Sequence, residues 1–180
     1  VLARELTTDE IAKIHSASPA TALEVFVHGA LCVSLSGRCN ASEALFGRSA
    51  NRGQCAQVCR MALDLIADGT TVMRDKHLLS LKDNCQVDQL EGLLMAGASS
   101  LKIEGRLKDV DYVKNVTAAY SQALDAVIAK HPKDFCRAST GHSKLKFEPN
   151  VYKSFNRGFV KDTSKPDANL DTPKSIGEPV

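Results

Sequence analysis

The sequence predicts an α/β fold built on a parallel sheet. Short apolar runs typical of strands alternate with segments of helical periodicity, and polar residues follow the runs as they do at strand ends of a (β/α) barrel. The 180 residues are 43% hydrophobic and 24% charged with a net charge of +2, as in a soluble globular protein. There is no apolar run long enough to span a membrane and no secretion signal, so we expect a cytoplasmic location.

The first 76 residues are predicted to form strands, a helix and a hairpin. VLARELT (1–7) is interpreted as a short strand, and Thr7 and Glu10 have the spacing of a capping box at the start of a helix. LEVFVHG (23–29) is rich in strand-forming residues and ends at a glycine. MALDLIADG followed by TTVMRD predicts a hairpin with its turn at Asp-Gly.

The following residues predict helix, strand and helix. QVDQLEGLLMAGA has helical periodicity and Gly97 as its C-cap, and SSLKIEG (99–105) is interpreted as a strand. Residues 109–130 form the clearest helical pattern, which Pro132 ends. Residues 131–165 are basic and aromatic with short strand-like pieces, and 166–180 are interpreted as a linker or the start of another domain.

Six cysteines are present, and Cys32, Cys39, Cys55 and Cys59 lie in one glycine- and serine-rich segment, with the spacing C-x6-C-x15-C-x3-C. Only the last pair has the spacing of a zinc knuckle, whereas iron–sulfur clusters accept more varied spacings. Disulfide pairing is a third alternative, because connectivity cannot be derived from a sequence. Spacing alone leaves all three open. The lack of a secretion signal favours reduced thiols as ligands.

EVFVHGALCVSLSGRC and GRSANRGQCAQVCR resemble the signature of peptidase family U-32, the collagenase-like peptidases. HLLSLKD, SSLKIEGRLKDVDYVKNVTAAY, SFNRGF and DTPKSIGEPV resemble the branch of that family that forms 5-hydroxycytidine in bacterial 23S ribosomal RNA. The resemblance implies a TIM-like (β/α)8 barrel of which residues 1–130 are the C-terminal part, with a Cys-rich insertion at 30–60. The earlier strands would lie outside this chain.

Members of this family with assigned roles hydroxylate RNA bases or a quinone ring, and the resemblance implies a [4Fe–4S] cluster, with prephenate as a co-substrate of the RNA enzymes. Cys32 and Cys39 match the first two ligands of the family, and Cys59 is a third. The fourth is either Cys55 or Cys85, because branches of the family differ here.

Three polar residues at predicted strand ends are candidate catalytic groups: His28, Glu104 and Arg106. A histidine at a strand end serves as a proton donor or simply hydrogen-bonds the backbone. Glu104 and Arg106 contact substrate if they lie at a barrel mouth, and otherwise form an ion pair or cap the next helix. Cys136 is interpreted as structural or free.

Basic residues are concentrated in two segments, 32–60 and 131–161, and aromatic residues are interleaved with the second. Cations neutralise phosphates and aromatic faces stack on unpaired bases, so ribosomal RNA is a predicted partner. The candidate contacts are Arg48, Arg52, Lys144, Lys146 and Arg157. The alternative is a solvated basic surface with its aromatics in a core.

The competing function is a peptidase acting on collagen-like or other protein chains. Peptidase chemistry needs an activated nucleophile or a metal-bound water, and neither G-x-S-x-G nor H-E-x-x-H occurs. A third alternative is a fragment without catalytic activity of its own, because part of the barrel wall is absent. The open sheet edge of such a fragment predicts a homodimer.

Overall fold

The computed structural model describes residues 1–105, 107–141 and 143–160, which form two compact units. The first unit contains residues 1–2, 7–28 and 85–155, and the second contains residues 3–6, 29–84 and those from 156 onward. Arg106 and the predicted linker at 166–180 lie outside the described residues. In chain order the elements are α1 (Thr8–Ala17), β1 (Leu23–Ala30), α2 (Ala41–Phe46), β2 (Leu63–Ala67), β3 (Thr70–Lys76), β4 (Asp83–Cys85), α3 (Leu90–Met95), β5 (Ala98–Ile103) and α4 (Val110–Lys130).

The structure contains both helices and strands, as the α/β prediction requires, and its central pair of strands is parallel. A three-stranded sheet has the order β4-β1-β5, and β1 runs parallel to β5 with Val25 opposite Leu101. The predicted strand at residues 1–7 is wrong: the segment forms no strand, and Leu2 only donates its backbone N–H to the carbonyl of Glu24, at 2.8 Å. Strand β4 was not predicted, because its sequence Asp-Asn-Cys lacks strand-forming residues.

Helix α1 begins at the predicted capping box, and α4 begins at an aspartate cap. Glu10 completes the capping box of α1, since its carboxylate accepts the backbone N–H of Thr7 at 2.8 Å. Asp109 accepts the N–H of Tyr112 at 2.7 Å and starts α4. The buried apolar side chains of this unit come from both sheet and helices: Ile11, Leu23, Val25, Val27, Leu90, Leu93, Ala96, Ala98, Tyr112, Val116, Ala118, Tyr120 and Val151.

Gly97 joins α3 to β5 in a backbone conformation with φ of 97°, which side-chain-bearing residues rarely adopt. A Cβ atom at this position would lie 2.2 Å from the Cγ atom of His15. The predicted C-cap is therefore also a point of close approach between the chain and α1.

The second unit holds the cysteine segment and the predicted hairpin of β2 and β3, which pair antiparallel. Asp68 and Gly69 form its turn with φ values of 50° and 76°, as a turn of type I′ requires. The apolar cluster of this unit is small, consisting of Leu31, Leu81 and Val160. Among the described residues of this unit, the buried polar side chains are Ser42, Arg60, Ser80, Asp83, Asn84 and Arg157.

No helix in the described ranges combines the length and hydropathy needed to cross a bilayer. Within residues 131–141 and 143–160, the structure contains one 3-10 turn, at Val151–Lys153, and a bridge between Asp83 and Phe159.

Candidate metal centre

Four of the five candidate cysteine ligands belong to the second unit: Cys32, Cys39, Cys55 and Cys59. All are free thiols, so none of them is in a disulfide bond. Cys32 and Cys55 are exposed, whereas Cys39 and Cys59 are partly buried. The cysteine segment folds into short turns and the helix α2 rather than one long helix, as its glycine and serine content predicts.

The loop between Cys32 and Cys39 is anchored by Glu5. One carboxylate oxygen accepts the backbone N–H of Ser36 at 2.8 Å, and the other accepts the Ser36 hydroxyl at 2.9 Å. Partial burial raises the pKa of the Glu5 carboxyl, but the hydrogen bonds from Ser36 outweigh this effect, and the pKa lies below its usual value. Glu5 therefore holds this loop as an ionised carboxylate.

The segment around Cys55 is anchored by Ser42, whose buried hydroxyl accepts the backbone N–H of Ala56 at 3.0 Å. Gln57 has a positive φ of 55°, a left-handed conformation that costs a non-glycine residue about 1–2 kcal/mol. Its backbone N–H points to the Sγ atom of Cys55 at 3.3 Å. A backbone donor at this position stabilises negative charge on the sulfur atom.

Cys59 is followed by Arg60, which is buried and hydrogen-bonded to three oxygens. Burial raises the pKa of the Cys59 thiol, Arg60 opposes the rise, and the thiols of Cys32, Cys55 and Cys39 add to it. Cys59 therefore interacts electrostatically with each of the other three thiols.

Cys85 belongs to the first unit, at the end of β4. Burial raises the pKa of its thiol, hydrogen bonds from the Val87 backbone and Tyr120 lower it, and Asp88 raises it. The Tyr120 hydroxyl lies 3.9 Å from the Cys85 Sγ atom.

The four cysteines of the second unit have the donor chemistry of an iron–thiolate group. They are free thiols, Cys59 interacts electrostatically with the other three, and a backbone N–H and a buried guanidinium accompany them. Across the described ranges, however, no three side chains of His, Cys, Asp or Glu are arranged to hold a metal ion. The residue types therefore match such a group, but their described arrangement does not.

His28 lies near the end of β1 and is only 2% exposed. Its Nδ1 atom lies 3.3 Å from the hydroxyl oxygen of Tyr120. The single hydroxyl hydrogen of Tyr120 is donated to the Val27 carbonyl at 2.7 Å, so in this arrangement Nδ1 carries the hydrogen of the imidazole–phenol bond. In the neutral ring, Nε2 is then the basic nitrogen.

Glu104 lies just beyond β5, partly buried, and its backbone N–H donates to the carbonyl of His28 at 2.8 Å. These two candidate catalytic residues therefore lie on adjoining strands of the first unit. Arg106, the third, is outside the described residues.

The predicted RNA contacts differ in exposure. Arg52, Lys144 and Lys146 are exposed, and Arg48 is partly exposed. Arg157 is 1% exposed, and its guanidinium donates to the Asp83 carboxylate at 2.8 Å. The RNA contact predicted for Arg157 is therefore wrong, because a buried, paired guanidinium is not accessible to a phosphate.

The aromatic residues that are interleaved with these cations also differ in exposure. Tyr152 is 67% exposed and Phe147 is 42% exposed, so both have faces available for stacking. Phe155 is instead covered by the Lys108 ammonium group, which lies 3.8 Å from its ring centre. Cys136 is exposed and free, in agreement with one of its two interpretations.

Two residues of the site were not recognised from the sequence. Arg60 was counted only as one of several cations, although it directly follows a cysteine. Tyr120 was assigned to the apolar face of α4, where helical periodicity does place it, but its hydroxyl group also joins His28 to Val27. In the sequence, a role for Arg60 was indicated only by its position next to Cys59.

The sequence profile described as Peptidase family U32 matches residues 1–169 of this chain. A 23S rRNA 5-hydroxycytidine synthase of Escherichia coli (strain K12) is 51% identical, over 100% of this chain and 28% of the relative. The tRNA hydroxylation protein P of Helicobacter pylori (strain J99) is 35% identical, over 96% of this chain and 42% of the relative. A collagenase of Porphyromonas gingivalis (strain W83) is 31% identical, over 88% of this chain and 40% of the relative.

The chain thus spans less than half the length of these relatives. No solved structure matches it. The profile match extends over both compact units and includes every candidate cysteine and strand-end residue. The predicted resemblance is confirmed: the chain belongs to peptidase family U32.

Proposed function

We propose that the protein carrying this chain hydroxylates a base of ribosomal RNA, forming 5-hydroxycytidine. The observation that carries this proposal is the 51% identity, along the whole chain, to a protein named for that activity. A second relative is named for hydroxylation of transfer RNA, which supports RNA as the substrate class. Because the chain spans only 28% of the first relative, the activity is proposed for the full-length protein.

At the level of the fold, we propose that the parallel pairing of β1 and β5 is part of a TIM-like barrel completed by strands outside this chain. His28 lies near the end of β1 and Glu104 directly follows β5, at the strand ends where such a barrel would bind its substrate. Residues 30–60 then form an insertion that carries the cysteines. The homodimer expected from an open sheet edge stays a prediction, which the molar mass in solution checks.

We further propose a [4Fe–4S] cluster held by Cys32, Cys39, Cys55 and Cys59. The electrostatic interaction of Cys59 with the other three supports this set, in which Cys55 is taken as the fourth ligand. When bound, the cluster would supply redox chemistry, with prephenate as the co-substrate that family membership implies. The chain's own residues would fix the ligands: Glu5 and Ser42 hold the two exposed cysteine segments.

Substrate binding is proposed to use the exposed cations and aromatic rings. Lys144, Lys146, Arg48 and Arg52 can neutralise phosphates, whereas Phe147 and Tyr152 can stack on unpaired bases. Binding that depends on such charges weakens steeply as the salt concentration rises.

The test of the activity is mass spectrometry of ribosomal RNA from a strain that lacks the gene. We expect the hydroxycytidine to be absent, to return with the wild-type gene, and to stay absent with Cys32→Ser. Cys136→Ser is the matched control, because this exposed thiol lies outside the proposed ligand set, and it should restore the modification. Unchanged RNA in the deletion strain would contradict the proposed activity.

The test of the ligand set is iron and sulfide analysis of full-length protein purified without oxygen. Cys55→Ser should lose the cluster and Cys85→Ser should retain it. The reverse result would assign the fourth ligand to Cys85, and iron-free wild-type protein after reconstitution would refute the cluster.

A peptidase activity remains the alternative, favoured by the name of the 31% identical collagenase. Cleavage of a collagen peptide by purified full-length protein, abolished by Cys32→Ser, would support it. We expect no cleavage.

A further inference from the structure

Asn115 joins helix α4 to a later segment of the first unit, residues 150–155. Its side-chain oxygen accepts the backbone N–H of Asn150 at 2.8 Å, and its amide nitrogen donates to the backbone carbonyl of the same residue at 2.7 Å. The amide nitrogen also donates to the hydroxyl of Ser154 at 2.6 Å. A carboxamide has one acceptor oxygen and two donor hydrogens, so one side chain uses all of its hydrogen-bonding groups to fix this segment on the helix.

The 3-10 turn within this segment is held at further points. The side chain of Asn150 caps the turn, since its oxygen accepts the backbone N–H of Tyr152 at 2.9 Å. Val151 is buried, with 5% exposure. Just beyond the turn, the Lys108 ammonium group lies 3.8 Å from the centre of the Phe155 ring. The backbone that carries Tyr152 is therefore fixed on both sides.

The ring of Tyr152 nevertheless projects into solvent. It is 67% exposed, more than the ring of any other phenylalanine or tyrosine among the described residues. Tyrosine is a residue typical of binding surfaces, because it combines a large apolar face with a polar hydroxyl group. A ring on a fixed backbone also loses less conformational entropy when a partner packs against it.

Exposed cations accompany this ring. Lys153 directly follows Tyr152, and Lys114 directly precedes Asn115 on α4. A nucleotide suits such a surface, because its base stacks on an aromatic face while its phosphate pairs with a cation. Lysine is depleted at protein–protein interfaces, so the two cations favour a nucleic acid over a protein partner.

We propose that Tyr152 is a base-stacking platform for single-stranded RNA and that Asn115 is its positioning residue. Tyr152 stacks on an unpaired base, Lys153 pairs with a neighbouring phosphate, and Asn115 fixes the turn that carries both. This inference rests on the RNA substrate proposed above, and it is independent of how the base is hydroxylated.

The experiment uses full-length protein and a short single-stranded pyrimidine RNA that contains 5-iodouridine. Tyr152→Ala should weaken binding about 5- to 150-fold, the usual effect of removing one stacking ring. Tyr152→Phe is the matched control and should bind like wild type, because phenylalanine keeps the ring. Irradiation of the wild-type complex should cross-link the iodouridine to Tyr152, which mass spectrometry of the peptides identifies.

The salt dependence of binding separates stacking from charge. Tyr152→Ala should keep the wild-type slope of log affinity against log salt concentration, because the ring neutralises no phosphate. Lys153→Gln should instead reduce that slope by about 0.7, the contribution of one phosphate contact on a single strand. Wild-type affinity in Tyr152→Ala, or a reduced slope in that variant, would overturn the stacking role.

The positioning role of Asn115 is tested in two backgrounds. Asn115→Leu has a similar shape without the hydrogen bonds, and it should weaken binding about 2- to 10-fold because the turn must then be ordered on binding. In the Tyr152→Ala background it should cause no further loss, whereas equal losses in both backgrounds would show a merely structural role and overturn the positioning. If Asn115→Leu does not fold, Asn115→Asp takes its place, since aspartate keeps the acceptor oxygen and loses both donors.

Failure of this inference is distinguishable from failure of the proposed function. Wild-type affinity in Tyr152→Ala, together with loss of hydroxycytidine from the deletion strain, would overturn the platform and leave the proposed function intact. Unchanged RNA in the deletion strain would contradict the function, while the binding measurements would still decide the platform. Wild-type protein that does not bind the RNA would overturn the platform directly.

Discussion

Tyr120 donates its hydroxyl hydrogen to the carbonyl oxygen of Val27 at 2.7 Å, and so ties helix α4 to strand β1. The same hydroxyl accepts the backbone N–H of Gln86 at 3.0 Å and lies 3.3 Å from Nδ1 of His28. Burial raises the pKa of Tyr120 above its usual value, so the phenol stays protonated at neutral pH. One phenol group thereby fixes the tautomer of a candidate catalytic histidine.

Tyr120→Phe should destabilise the protein by about 1–3 kcal/mol, because it leaves buried hydrogen-bonding groups without this partner. Denaturant unfolding measures the change. Nitrogen NMR of the histidine rings should also show His28 shifting away from the Nδ1–H tautomer. Tyr152→Phe is the control, since that ring is 67% exposed, and it should change neither quantity. An unchanged His28 tautomer in Tyr120→Phe would contradict the assignment.

The buried ion pair of Asp83 and Arg157 should show strong coupling in a double-mutant cycle. Arg157→Met leaves the carboxylate buried without its guanidinium, and we expect a loss of about 3–5 kcal/mol. Asp83→Asn should cost a similar amount, because it removes the charge that balances Arg157.

The combined variant should lose clearly less than the sum of the two single variants, since neither charge is then left alone. Equilibrium unfolding of all four proteins gives the coupling energy. Additive losses would mean that the two side chains act independently, against the 2.8 Å contact.

Gly97→Ala should destabilise the protein by about 1–3 kcal/mol, because alanine cannot adopt a φ of 97° without strain. The new methyl group would also displace the ring of His15. Gly92→Ala is the matched control within α3: its Cβ would meet nothing within 4 Å, and we expect stabilisation by about 0.5–1 kcal/mol. Thermal unfolding compares the two, and equal effects would contradict the geometry.

Glu10 should make stability depend on pH. Hydrogen bonds from the backbone and side chain of Thr7 lower the pKa of its carboxyl below the ordinary 4.5. The folded state therefore binds fewer protons than the unfolded state, so the stabilisation is complete above 4.5 and is lost as the pH falls through the lowered value.

Glu10→Gln should consequently lose less stability between neutral and acidic pH than wild type does. Denaturant midpoints across that range measure the slope. Glu148→Gln, at an exposed position in a loop, should keep the wild-type slope. A wild-type slope in Glu10→Gln would show that the capping box does not contribute.

Sequence patterns correctly predicted the helices and turns whose conformation depends on residues close together in the chain. The helical pattern of residues 109–130 predicted α4 correctly, and the Asp68–Gly69 dipeptide predicted the hairpin. Strand β4 escaped prediction because its pairing with β1 comes from the sheet rather than from its own side chains. Residues 1–7 have the composition of a strand, but only Leu2 makes a hydrogen bond to the β1 backbone.

Long-range contacts explain what the sequence could not predict at the site. Arg157 resembled an accessible cation until the fold placed it against Asp83, 74 positions earlier in the chain. Arg60 reaches Leu31, 29 positions away, and the role of Tyr120 depends on Val27, 93 positions away. The cysteines were recognisable because their chemistry and local spacing are visible in the sequence itself.

The composition of the second unit's interior has a consequence for its response to temperature. Exposure of apolar surface raises the heat capacity on unfolding and exposure of polar surface lowers it. Among the described residues of this unit, six buried polar side chains accompany four buried apolar ones, three of which are clustered, so this interior contributes little to the heat-capacity increment. We therefore expect the free energy of unfolding of the cysteine-bearing unit to curve little with temperature, because its enthalpy of unfolding changes little between cold and warm conditions.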